Sequence, residues 1–318
     1  MTRGRLKLYV LAGVLLCGLG ACTSGNEVKQ QEITLDQSRP DTNRYLALLP
    51  GDGQVEAWMV LIPGFGESPA DVLAATSLPR DAAQAHIAVF IPTLQDGIET
   101  YSFAPEGQAC LDRMTQDIKE RFNLQDKPFV VGGFSMGGSA AVKFAERAMP
   151  QPVCIFAIDS PLDFERFYYA QQRDVEVYRK GLDEGDSIYV KLLNDIVGIM
   201  GSTPQVNIES YHQLSPYSLS DTSHQAIRAL KDVPVRVYIE PAEQWWLDNR
   251  QTDVLGLNVL DATAMINDLR LLGNKRAELI VTRDKGRRGE KYHPHSWTIV
   301  DNKELIEWIK TNLKDEIH

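Results

Sequence analysis

The sequence predicts an α/β fold: a mostly parallel central sheet flanked by helices, with a helical lid insertion over one edge. Three observations carry this. Short apolar runs alternate with stretches of helical character, the rhythm of right-handed βαβ crossovers. Residues 129–140 (FVVGGFSMGGSA) read as a strand, a sharp turn and the start of a helix. The rhythm breaks once, after the segment Asp159–Asp163: about 70 residues pass before the next strand, far more than a crossover needs.

With 318 residues the chain is long enough for one large core. It opens on Arg3, Arg5 and Lys7, followed by an apolar run from Leu8 that is too short to span a bilayer with its flanks. Residues 1–21 read as a targeting segment ending in Leu19-Gly20-Ala21-Cys22, which resembles the bacterial lipobox. That resemblance implies cleavage before Cys22, acylation of the cysteine and a stable membrane anchor. Thr23, rather than an acid, follows the cysteine, which by the same resemblance favours the outer membrane or cell surface. Removing the leader leaves the mature chain three charges more negative than the formal −10, so nucleic acid is not an expected partner.

Residues 22–37 are polar and read as a tether; the folded domain is expected over 38–318. Arg44–Pro50 is a strand closed by the turn at Gly51-Asp52-Gly53. Glu56–Ile62 is nearly continuously apolar, as a strand buried on both faces should be. It runs into the turn Pro63-Gly64-Phe65-Gly66. A helix is expected over Ala70–Ala85, a strand over Ile87–Ile91 and an amphipathic helix over Glu106–Phe122. After the 129–140 segment comes a strand at Val153–Ile158. The lid insertion, about 163–232, carries helical pieces at Phe164–Lys180 and Ser187–Met200. It is rich in aromatics (Phe164, Phe167, Tyr168, Tyr169, Tyr178, Tyr189, Tyr211, Tyr217), of which two or three should line a pocket. Val235–Ile239 and Ala277–Thr282 are strands, separated by a Trp-bearing loop and a helix near Leu260–Leu272. A basic loop and a helix over Lys303–Leu313 close the chain. Cys17 would leave with the leader; Cys110 and Cys154 sit in apolar stretches and are expected as buried thiols.

At the centre of 129–140 stands Gly133-x-Ser135-x-Gly137. A turn this tight leaves no room for side chains two residues before and after its serine, and it lifts the hydroxyl above the sheet. With the glycine turn after an early strand, the alternating order and a late histidine, the chain resembles the α/β-hydrolase family over residues 40–315. The resemblance implies the α/β-hydrolase fold and a Ser–acid–His triad in that chain order. Serine is a poor nucleophile until an imidazole takes its proton, and a carboxylate must hold that imidazole in the right tautomer.

On this resemblance Ser135 is the nucleophile, and the base should follow the last strand. That excludes His86, His212 and His224, and His318 is terminal, leaving His293 and His295; His295 lies closer to the final helix and is preferred. The acid should stand just beyond Val235–Ile239, where Glu240 and Glu243 compete, with Asp248 and Asp253 further away. The oxyanion hole should use the N–H groups of Phe65 and Met136. No cofactor and no metal are expected. Trp245, Trp246 and Trp297 flank the acid and base loops and could serve as platforms for sugars or aryl groups; the basic run Arg283–Lys291 could steer an anionic substrate. The expectation is an exported, lipid-anchored serine hydrolase acting on small-molecule or polysaccharide-linked esters, acyl or feruloyl. The alternatives are a prolyl-oligopeptidase-like peptidase and a non-catalytic binding protein on the same fold.

Overall fold

The computed structural model describes residues 27–177 and 188–315. The proposed leader, Cys22 and Tyr178 lie outside those residues. The described residues open with β1 (Val28–Thr34), β2 (Arg44–Pro50) and β3 (Ala57–Ile62), followed by α1 (Pro69–Ala75), α2 (Leu78–Gln84) and β4 (Ile87–Thr93). Then come α3 (Pro105–Phe122), β5 (Phe129–Phe134), α4 (Met136–Ala145) and β6 (Cys154–Ile158). Between β6 and the next strand lie α5 (Phe164–Val177), α6 (Ile188–Met200) and α7 (Ile208–Leu214). The last part is β7 (Val235–Ile239), α8 (Glu243–Arg250), α9 (Val259–Leu271), β8 (Ala277–Val281), a short hairpin of β9 (Arg287–Arg288) and β10 (Lys291–Tyr292), and α10 (Asn302–Asp315).

The first eight strands form one sheet in the order β1-β2-β4-β3-β5-β6-β7-β8. β1–β2 and β2–β4 pair antiparallel, and every pair from β4–β3 to β7–β8 is parallel. β3 and β5 are buried at every position, so the period-two alternation sorts apolar side chains between two faces rather than between core and water. Trp58, Val60 and Ile62 face a core shared with α3, α4 and α9; Met59 and Leu61 face one shared with α1, α2 and α10.

Three local expectations are revised. The segment read as a tether contributes β1 from Val28 onward. Only Ile33 of this edge strand is buried, so its side chains carry little apolar pattern and the backbone ladder to β2 defines it. The helix expected over Ala70–Ala85 is two helices. Pro79, in the first turn of α2, lacks the N–H that a continuous helix would need there. The Trp-bearing stretch is the helix α8 rather than a loop. Cys110 and Cys154 are both buried thiols. Among the described residues no helix is long and apolar enough to cross a membrane.

Candidate active site

The parallel strands β3, β5, β6, β7 and β8 all end on one edge of the sheet, and the loops that leave that edge build the site. β5 ends at Phe134 and α4 begins at Met136, so Ser135 alone makes the turn, at φ 52° and ψ −127°. A non-glycine residue held there costs about 1–3 kcal/mol, which the surrounding packing must offset. The backbone around it is close-packed. A Cβ on Gly133 would lie 2.4 Å from the Gly137 carbonyl, and one on Gly137 would lie 2.2 Å from the Ile62 carbonyl oxygen. Those contacts explain the spacing of the two glycines. The Ser135 N–H donates to the Ile158 carbonyl at 2.9 Å and ties the turn to β6.

His295 reaches this serine from the loop between β10 and α10. Its Nε2 is 3.1 Å from Ser135 Oγ, and its Nδ1 is 2.6 Å from Asp159 Oδ2. The imidazole leans on the Phe134 ring at a centroid distance of 4.5 Å. Asp159 is the first residue after β6, at φ 44°, with its N–H bonded to the Tyr238 carbonyl at 2.8 Å. Asn258 Nδ2 donates to the Asp159 carbonyl at 2.8 Å, fixing the same residue from α9's side. The carboxylate is 6% exposed as a residue, so it meets the imidazole largely out of water.

The carboxylate beside His295 is therefore neither Glu240 nor Glu243. β6 is the immediate neighbour of β5, so a residue at its end stands beside the Ser135 turn, whereas the end of β7 lies one strand further out. Glu240, 2% exposed, is spent elsewhere. It accepts from Thr282 Oγ1 at 2.9 Å and from the N–H groups of Lys285 and Gly286 at 3.1 Å each, and so anchors the loop that leads to His295. Glu243 is exposed in the first turn of α8. Asp248 accepts from Gln244, and Asp253 caps a short 3-10 turn and pairs with Arg173. The signal for Asp159 is an acid directly after an apolar strand, at a position where left-handed backbone suits Asp.

Phe65 and Met136 stand with Ser135, Asp159 and His295 around one cavity of about 390 Å³. The Met136 N–H is one of the first-turn donors that the α4 helix leaves without an internal partner. The turn bearing Phe65 lies against the serine: a Cβ on Gly64 would lie 3.4 Å from the Cβ of Ser135. Glu67 braces that turn, accepting from the Gly64 N–H at 2.9 Å and from Trp297 Nε1 at 3.1 Å. Trp297 is thus buried against Phe134 and Glu67 and offers no platform to a substrate; Trp246 is the indole that lines the cavity. Of the aromatics between β6 and β7, two or three of which were expected at a pocket, Phe167 alone among the described residues lines it.

His293, two residues before His295, also lines the cavity. Burial, with the Arg288 guanidinium next in importance, pushes its imidazole down to about 4, so it is neutral at pH 7. Arg288 donates from Nε to the His295 carbonyl at 3.1 Å. Among the described residues no group of three or more His, Cys, Asp or Glu side chains is arranged to hold a metal ion. Chemically, the assembled groups can activate a hydroxyl through an oriented imidazole and stabilise an oxyanion beside it.

No protein-family model matches the chain, and no curated protein matches it in sequence. Solved structures do match. The chain is similar to the fluorophosphonate-binding serine hydrolase F of Staphylococcus aureus at a TM-score of 0.55 and 13% identity, covering 90% of this chain and 98% of that one. It is similar to an S-formylglutathione hydrolase from Agrobacterium tumefaciens at 0.55 and 11%, over 92% and 96% of the two chains. The TT1662 protein of Thermus thermophilus gives 0.55 and 14%, over 91% and 99%. The strand order and these likenesses identify the α/β-hydrolase fold. At such identities the likeness speaks to the fold alone.

Proposed function

We propose that this chain is a serine hydrolase that cleaves carboxylic esters through an acyl-enzyme. The observation that carries the reading is the hydrogen-bonded chain from Ser135 Oγ through His295 to Asp159, set in a strained turn beside two candidate oxyanion donors. Two structural neighbours bear the names of a serine hydrolase and an S-formylglutathione hydrolase, which supports the same class. Ser135 Oγ attacks the ester carbonyl while His295 Nε2 takes its proton. Asp159 accepts from Nδ1–H, keeps Nε2 free as base and stabilises the imidazolium that forms. The N–H groups of Phe65 and Met136 receive the oxyanion, each donor contributing on the order of 10²–10³ in rate. His295 then protonates the leaving alkoxide. A water molecule, deprotonated by the same imidazole, releases the acid and restores the serine. The chemistry calls for no cofactor.

The substrate class we favour is acyl or feruloyl esters of polysaccharides, met outside the cytoplasm by a protein anchored through lipidated Cys22. The lipobox-like Leu19–Cys22 motif supports the anchor. Growth of a bacterial host expressing the chain with labelled palmitate tests it. The wild type should incorporate label and Cys22→Ala should not; equal labelling of both would sink the anchor. The hydrolase reading is tested by a fluorophosphonate probe on soluble protein from residue 23 onward. Wild type should label covalently, and Ser135→Ala and His295→Ala should not. A folded wild type that stays unlabelled would favour the non-catalytic binding protein.

A further inference from the structure

The helix α5 carries Phe167, Gln171 and Asp174 at i, i+4 and i+7, one face of the helix, and all three line the cavity that holds Ser135 and His295. The first is an ordinary apolar lining. The other two are not. Gln171 is 5% and Asp174 1% exposed, yet both are polar and both border empty space. Thr252, from beyond α8, lines the same region and donates from Oγ1 to Asp174 Oδ2 at 3.1 Å. Gln171 Oε1 finds no hydrogen-bond partner among the described residues. Buried polar atoms are nearly always paired, so an unpartnered one in a residue that lines a cavity marks a place where a donor is missing.

The same cavity is lined by the apolar Phe65, Met136, Leu192, Leu257 and Val259 and by the polar Arg250 and Asn258. A plain hydrocarbon group filling the cavity would leave the Gln171 carboxamide oxygen without a partner. A hydroxyl would not: it both donates and accepts, so it can satisfy either end of the carboxamide. We propose that Gln171, with Asp174 and Thr252 behind it, is a specificity subsite that reads a hydroxyl on the substrate group occupying this cavity. The preferred esters are therefore hydroxylated ones. This inference rests on the ester-hydrolase reading and narrows its substrate class.

Two matched pairs of esters test it on the soluble protein from residue 23 onward. One pair differs on the acyl side: p-nitrophenyl butanoate against p-nitrophenyl 3-hydroxybutanoate. The other differs on the alcohol side: propyl butanoate against glycerol monobutanoate. The readout is the ratio of kcat/KM, hydroxylated over plain, in the wild type and in Gln171→Leu and Gln171→Met. A site that hydrogen-bonds a hydroxyl discriminates against partners lacking it, so in at least one pair the ratio should fall about tenfold or more in both variants. Ratios that stay within about twofold of wild type in both pairs would overturn the subsite. Fluorophosphonate labelling of all three proteins separates the two ways of failing. Labelled proteins with unmoved ratios reject the Gln171 subsite alone, whereas an unlabelled, folded wild type rejects the hydrolase reading and the subsite with it.

Discussion

Asp159 and Glu240 are both buried acids at strand ends on the same edge of the sheet, and their partners divide the work between them. Asp159 gives an oxygen to the imidazole of His295; Glu240 gives both of its oxygens to the 282–286 loop. In the proposed reaction a positively charged imidazole would gain from the first arrangement, whereas the second fixes backbone without changing charge. His293 shows the converse pressure. Its neighbours include Arg288, Arg250 and His295, and with its burial they push it down to about 4 from an ordinary 6.5. Between those values the unfolded chain binds a proton that the folded chain refuses, so this residue's contribution makes stability fall as pH is lowered from about 6.5 towards 4. Denaturant midpoints measured at pH 7 and pH 4.5 should show a smaller loss for His293→Gln than for wild type. An equal or larger loss in the variant would mean that His293 is not held neutral.

At the scale of elements, the β5–Ser135–α4 unit depends on backbone proximity. Since a Cβ on Gly137 would meet the Ile62 and Pro63 carbonyl oxygens at 2.2 and 2.3 Å, Gly137→Ala must displace β3's exit or α4. The expected cost is about 3 kcal/mol, the upper end for overpacking, because backbone rather than a flexible side chain must move. Equilibrium denaturation measures it, and a loss under about 1 kcal/mol would contradict the close-packed turn. This unit was legible in the sequence because its glycines are a steric requirement written at fixed spacing. β3 through β7 were legible for a related reason: strands buried on both faces leave apolar runs that little else explains. β1 was not, since an edge strand is held by its ladder and only Ile33 is buried. The break between α1 and α2 has its signal in Pro79, although the apolar spacing continues across it.

Over the whole molecule, the site is a product of topology. Ser135, Asp159 and His295 are far apart in sequence, and the adjacency of β5 and β6 brings the acid to the serine turn while the loop after β8 returns the histidine. The serine and histidine could be found from chain order. The acid could not, because its place depends on which strand lies beside β5, a fact of pairing that periodicity does not contain; family resemblance pointed instead to the end of β7. The central claim is that Asp159, and not Glu240, orients His295. It is tested most directly by kcat for a p-nitrophenyl ester in Asp159→Asn and Glu240→Gln, with circular dichroism confirming that both fold. Asp159→Asn should lose about 10⁴ in kcat, as triads do when the acid is neutralised. Glu240→Gln should keep kcat within about tenfold of wild type while losing thermal stability, since it removes charge from a structural hydrogen-bond set. The reverse order, with Glu240→Gln the inactive enzyme and Asp159→Asn close to wild type, would contradict the account.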